Sequence, residues 1–295
     1  MNPSSTAPVL KKQSRLRDYV QLVKPRLSLL VVFSSAMAYL WATDRNVDST
    51  TVWLLSTGGF LVTASANILN QVIEKDSDKL MKRTSERPLA SGRMKVTEAL
   101  MLSLCLGAGG VILLAGINLF AAAIGVLALL IYAGMYTPLK KITAWTVVPG
   151  AVAGSLPVVI GWVAARNEIG EEALLLFSIQ FIWQFPHTWS IAWLLNDEYN
   201  KAGLKMLPGS DRTNTSALLI MLSTFLMIPS AFLLYMYESA GVHVTWIIAI
   251  AGIILLLFAL QLYCKRNTRS AVAFMLCCFI YLPLVLIALV AEKYL

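Results

Sequence analysis

Positions 67 to 78 read Asn67-Ile-Leu-Asn70-Gln-Val-Ile-Glu74-Lys-Asp-Ser-Asp78. Wound as a helix at about 100° per residue, Asn67, Asn70, Glu74 and Asp78 share a stripe about 80° wide. Amides and carboxylates at the end of an apolar helix are costly unless they face protein, water or an ion. One such residue is an ordinary polar cap, but four oxygen donors on one face suit a hard cation such as Mg2+. Four cations follow at once: Lys79, Lys82, Arg83 and Arg87. A positive loop explains their sign but not their place beside an oxygen-ligand stripe. That pairing is what a diphosphate needs, with ions bridging its oxygens and cations taking the remaining charge.

A second acid-rich exit, Asn196-Asp197-Glu198-Tyr199, lies downstream, with Lys201 and Lys205 close behind. Asp197 and Lys201 are i, i+4 neighbours and can face one way; a weak surface ion pair is the plain alternative. A third loop, Tyr136-Thr-Pro-Leu-Lys140-Lys141, offers a phenol and two ammonium groups. In the run Trp183-Gln184-Phe185-Pro186-His187-Thr188-Trp189, Pro186 frees the carbonyl of Ile182 and is expected to bend the helix. His187 is either a hydrogen-bonded core residue or a ligand to a metal macrocycle, and the sequence leaves both open. His243, near Glu238, reads as solvated. Gly150, Gly154 and Gly161 allow close helix contact.

The elements that must position these groups follow from composition. The chain has 295 residues, 58% hydrophobic and 14% charged, with a mean hydropathy of +0.70. Soluble domains are about a quarter charged, so an all-α polytopic membrane protein is expected. Nine apolar runs span 22–42, 51–73, 97–116, 119–136, 144–165, 173–195, 216–237, 245–264 and 270–291. The net charge of +8 does not indicate nucleic acid, because the basic residues sit between apolar runs and report topology. With the N-terminus in the cytoplasm, 21 of the 24 Lys and Arg fall inside, leaving Arg45, Arg166 and Lys293 outside. That asymmetry predicts nine spans and a cytoplasmic face for the acid-rich and basic loops named above, with His243 and Glu238 in an outer loop.

Residues 1–20 read as a disordered, basic cytoplasmic tail and 21–295 as one transmembrane domain. No secretory signal pattern is expected in that tail. Cys105, Cys264, Cys277 and Cys278 show no CxxC spacing and read as reduced, packed thiols. The two acid-rich exits, four helices apart, hint at two halves facing one cavity. A transporter is the other class a polytopic bundle allows. Against it, the chemistry-capable residues gather at one face of the membrane and no inverted repeat is visible.

These segments resemble the UbiA superfamily of membrane prenyltransferases, whose first motif, NxxxDxxxD, is similar to Asn70-x3-Glu74-x3-Asp78 with Glu at the middle position. The resemblance narrows, through Met81-Lys82-Arg83-Thr84, Arg87-Pro88-Leu89, Tyr136-Thr137-x2-Lys140, Gly161-Trp162, Trp183-Gln184-x-Pro186-His187 and Asp197-x-Tyr199-x2-Ala202-Gly203, to the branch that farnesylates heme. The wider superfamily usually ends its second motif in Asp, where this chain has Lys201, a departure that favours the heme branch.

The resemblance implies a nine-helix bundle in a bacterial plasma (inner) membrane. Its catalytic set would be Asn70, Glu74, Asp78, Asp197 and Lys201, with Mg2+ on Asn70, Asp78 and Asp197. Lys82, Arg83, Arg87, Tyr136, Lys140 and Lys205 would serve the diphosphate of farnesyl diphosphate. Glu74, one methylene longer than Asp, would act through water or orient Lys82. Heme B would be the acceptor, with His187 as a heme-binding candidate and heme O as product. Other aromatic acceptors remain an alternative, and a downstream heme A synthase or terminal oxidase assembly a conceivable partner.

Overall fold

The computed structural model describes residues 14–43, 46–209 and 211–294, and no strand occurs among them. Helix α1 (Arg15–Val23) is capped by Ser14, whose hydroxyl accepts from Arg17 N, and it ends at Lys24 in a left-handed conformation. α2 (Pro25–Ala42) begins with Pro25 at its first position, where the missing N–H costs nothing. α3 (Ser49–Lys79) starts on an Asp48 cap that accepts from Thr50 N and Thr51 N. At 31 residues it is about 46 Å long, well beyond the roughly 30 Å of hydrocarbon. Its last turns therefore carry the polar stripe out of the apolar layer.

The chain continues through α4 (Val96–Ala115) and α5 (Leu119–Leu130), then a π-helical turn at Ile131–Tyr136 and a short α6 (Thr137–Leu139). A 3-10 turn, Ala144–Thr146, leads into α7 (Val147–Arg166). After α8 (Glu171–Leu194) come the short α9 (Asn196–Lys201), α10 (Asn214–Phe225), α11 (Met227–Met236), α12 (Val242–Lys265) and α13 (Thr268–Tyr294). α2 packs on α3, α7 and α13, and α8 packs on α7, α10, α11 and α13. Large apolar side chains such as Leu104, Ile112, Leu119, Met236 and Ile280 face outward, as a lipid solvent requires.

Each of the nine expected segments corresponds to a helix or helix pair. Eight helical stretches are long and apolar enough to cross a membrane. The ninth, α8, matches them in length at 24 residues, but Gln180, Gln184, Pro186 and His187 dilute its apolar character. Two expectations need correction. Residues 15–20, assigned to a disordered tail, belong to α1; Asp18 is buried and paired with Arg93 at 2.8 Å, and Tyr19 donates to Glu98. Positions 1–13 of that tail lie outside the described residues. The cysteines are free as expected, but only Cys278 is fully packed, whereas Cys105 and Cys264 are exposed.

A glycine sets one close crossing. A β-carbon at Gly161 would collide with the backbone carbonyl of Ser35, so α2 and α7 approach as closely as they do only because that side chain is absent.

Candidate active site

The helical periodicity of α3 buries the whole stripe. Asn67, Asn70, Glu74 and Asp78 are all at most 5% exposed. Their partners come from other elements and loops. Arg87 Nη1 donates to both Asp78 oxygens, at 2.9 and 2.7 Å, and Thr84 Oγ1 donates to the Asp78 carbonyl. Glu74 meets Lys140 Nζ at 2.8 Å, so it orients Lys140 and not Lys82, whose side chain is exposed. Asn70 Nδ2 donates to Thr137 Oγ1 at 3.3 Å. Asn67 turns elsewhere, toward the carbonyl of Val23 and the hydroxyl of Ser28.

The π-helical turn puts Tyr132 and Tyr136 on one side, with their ring centroids 5.2 Å apart. Lys140 Nζ lies 4.3 Å from the Tyr136 ring centroid, within cation–π range. Burial works against the Lys140 charge, but the Tyr136, Glu74 and Tyr132 oxygens outweigh it and hold the ammonium above its usual range. Burial likewise raises the Tyr199 phenol, with Lys140 opposing.

The second acid-rich segment is arranged differently. Asp197 is 71% exposed and pairs with Arg212 at 3.0 Å, while Arg212 Nε donates to the carbonyl of Trp193. Lys201 and Lys205 are exposed, and Lys205 reaches the centre only through its backbone N–H, which donates to Lys140 O at 2.7 Å. The Arg83 side chain is also exposed, though its backbone N–H donates to Glu198 at 3.3 Å and ties the two acidic loops together.

Beneath this charged end lies a cavity of about 350 Å3. Tyr132, Tyr136, Tyr199 and Asn67 line its polar end, and residues such as Leu55, Val62, Leu114 and Ile160 line its apolar length. His187 and Gln184 of α8 also line it. The His187 ring stacks on Trp183 at 4.3 Å and meets Phe279 edge-on at 5.1 Å. Its Nδ1 is buried with no hydrogen-bond partner in the protein, the reverse of a satisfied core histidine.

Among the described residues no group of three or more His, Cys, Asp or Glu side chains is assembled to hold a metal. The expected set of Asn70, Asp78 and Asp197 is thus not a closed metal cage. Mg2+ typically takes only one or two carboxylates and fills its shell with water and phosphate oxygens, so the donors present fit an ion that arrives with a diphosphate. Sequence reading named Thr137 only as part of a motif and missed Lys24 and Arg212 as members of the site's surroundings. In the sequence Lys24 counts only among the 21 basic residues on the cytoplasmic side, a signal that topology alone accounts for.

A bundle of long apolar helices, with a buried carboxylate–cation cluster capping an apolar cavity, is the architecture of a membrane prenyltransferase. The chain belongs to the UbiA prenyltransferase family, whose sequence model matches residues 31–283. Among curated relatives, it is 43% identical to the protoheme IX farnesyltransferase of Cytophaga hutchinsonii, over 95% of this chain and 99% of that one. It is 37% identical to the protoheme IX farnesyltransferase of Flavobacterium johnsoniae, over 97% of each.

Solved structures agree on the fold. A structure reported for digeranylgeranylglyceryl phosphate synthase superposes with a TM-score of 0.78 at 21% identity, covering 94% of this chain and 98% of that one. A UbiA homolog from Archaeoglobus fulgidus bound to GPP and Mg2+ gives 0.73 at 16% identity, covering 92% and 99%.

Proposed function

We propose that this chain transfers the farnesyl group of farnesyl diphosphate to a vinyl group of heme B, giving heme O and diphosphate. The observation that carries the reading is an apolar cavity lined by Tyr136, whose ring meets Lys140 of a buried cluster with Glu74, Arg87 and Asp78. That junction suits an amphiphile with an isoprenoid tail and a diphosphate head, and the heme acceptor follows from the curated relatives.

Mg2+, held by Asn70, Asp78 and Asp197, would neutralise charge on the departing diphosphate. The protein's own groups do the rest. Lys140 is oriented by Glu74 and by the Tyr136 ring, which leaves an ammonium fixed beside a ring that lines the cavity. Exposed Lys82, Arg83, Lys201 and Lys205 lie on the loops that carry the cluster and the second acidic segment, and would attract an anionic head. As the carbon–oxygen bond of the allylic diphosphate breaks, its electron pair leaves with the diphosphate. The apolar walls keep water from the allylic cation until the vinyl group attacks its C1. Water then adds to the carbocation beside the porphyrin and loses a proton, which leaves the hydroxyethylfarnesyl side chain. His187, with its unpaired Nδ1 at the cavity wall, orients the heme.

The site faces the cytoplasm of a bacterial inner membrane, a reading supported by the concentration of Lys and Arg in the loops that carry it. Membranes containing the protein, supplied with farnesyl diphosphate, Mg2+ and either heme B or 4-hydroxybenzoate, should prenylate heme alone. Prenylated 4-hydroxybenzoate with unchanged heme would overturn the choice of acceptor.

A further inference from the structure

The reaction read above needs water at one carbon and must keep it from another. Loss of diphosphate leaves an allylic cation that any loose water would turn into an alcohol. Attack by the vinyl group then moves the charge to the carbon beside the porphyrin, and there a water must add. A water that is present for the second step and harmless in the first is one held in place.

An apolar cavity keeps a water only where two or more polar partners hold it. Several polar side chains line this cavity, and some are already engaged. Ser35 Oγ donates to Val32 O at 2.9 Å, Thr63 Oγ1 donates to Gly59 O at 2.8 Å, and Asn67 is turned to Val23 and Ser28. The lining from α8 differs. Among the described residues neither the Gln184 amide nor the Thr188 hydroxyl has a hydrogen-bond partner. They are i, i+4 neighbours on one helix face, with β-carbons about 6 Å apart, a spacing that one water bridges.

α7 fixes the depth of this pair. A β-carbon at Gly150 would collide with the Tyr136 ring, and one at Gly154 would collide with the Gln184 amide. Gln180 Nε2 donates to Gly154 O at 2.6 Å and ties α8 to α7 at that level. The two glycines are about one turn apart, so the Gln184 amide stands about 6 Å deeper in the cavity than the Tyr136 ring. Lys140 Nζ lies over that same ring. The second cationic carbon is two bonds, about 2.5 Å, from the farnesyl C1. A water on Gln184 therefore suits the second cation, while the diphosphate stays at the level of Lys140.

We propose that Gln184, with Thr188, holds the water that adds to the carbocation beside the porphyrin. The proposal rests on the farnesyl-to-heme reading above. The water oxygen bonds to the cationic carbon, and its proton passes to an oxygen of the diphosphate that C1 has just released. Where no water is held, the cation instead loses a proton from the adjacent carbon. A double bond forms, and the pigment is one water lighter than heme O.

The test uses the full chain in lipid nanodiscs with farnesyl diphosphate, Mg2+ and heme B. Pigments are weighed by mass spectrometry, and binding of both substrates and thermal unfolding are measured alongside. Gln184→Leu and the near-isosteric Thr188→Val should bind both substrates and still transfer the farnesyl group. The ratio of heme O to the lighter alkene should fall about 10-fold or more in each, the scale of one lost hydrogen bond in a buried site. Thr188→Ser keeps the hydroxyl and should keep the wild-type ratio. Gly154→Ala displaces the amide without removing it and should lower the ratio too; with Thr188→Val it decides the matter if Gln184→Leu does not fold. A wild-type ratio in Gln184→Leu and Thr188→Val, however slow the turnover, overturns the proposal, since a structural role changes rate and not product. Loss of all transfer in both, with substrates bound, places them before the water step and overturns it as well. A wild-type protein that never farnesylates heme B would defeat the parent reading, a failure distinct from variants that make only heme O.

Discussion

Asp78 and Glu74 stand one helical turn apart on α3, and their partners give them different work. Asp78 is 1% exposed and receives two hydrogen bonds from one Arg87 nitrogen, whereas Glu74 orients Lys140. Asp78→Asn should therefore cut turnover about 100-fold or more, the scale of losing one contact to developing charge. It should also destabilise the fold, since Arg87 is left buried without its carboxylate. Glu74→Gln should cost less, because Lys140 keeps its contact with Tyr136. Equal, mild losses in steady-state assays at saturating Mg2+ would reduce the stripe to a helix cap. His187→Ala and His187→Gln should insert and bind farnesyl diphosphate but use heme poorly; normal heme O production by both would remove its proposed role. The stripe itself was legible, since its period is that of a helix. The pairing of its acids was not, because Arg87 and Lys140 arrive from loops whose paths no periodicity encodes. Lys24 was hidden by a single left-handed residue.

The length of α3, the break at Lys24 and the π-helical turn decide where the site sits. Nine apolar runs were visible in the sequence because burial in lipid demands unbroken hydrophobicity. The π-helical turn was not, since Ile131–Tyr136 carries the same residue types as an ordinary helix. The helical order of residues 15–20 was also hidden, because it depends on the distant Arg93 and Glu98. Gly161→Val should wedge α2 from α7 and lower the yield of folded protein in detergent, whereas Gly109→Ala, whose added carbon meets only Leu61 at 3.8 Å, should not. Equal yields would mean that the crossing tolerates a side chain. Topology is testable at the same scale. Reporters fused after Lys95, Lys141 or Arg212 should report cytoplasm, and those after Asn46 or Glu171 the outside. One reversal would break the nine-span order.

For the whole molecule, the structure brings an apolar outer surface, an apolar cavity and a buried charged cluster together, an arrangement that suits an amphiphilic substrate. Among the described residues the donor set is open, and the Mg2+-assisted departure of diphosphate predicts that EDTA abolishes activity and added Mg2+ restores it. Full turnover in chelated buffer would contradict a metal-assisted departure of diphosphate. The most direct test of the central claim is a single product analysis. Purified wild-type and Asp78→Asn proteins are given radiolabelled farnesyl diphosphate, Mg2+ and heme B, and the pigments are separated and weighed by mass spectrometry. The wild type should convert heme B to labelled heme O, with one farnesyl group and one water added, and Asp78→Asn should leave heme B almost unchanged. Label that never enters the porphyrin, or enters it equally in both proteins, would contradict the account.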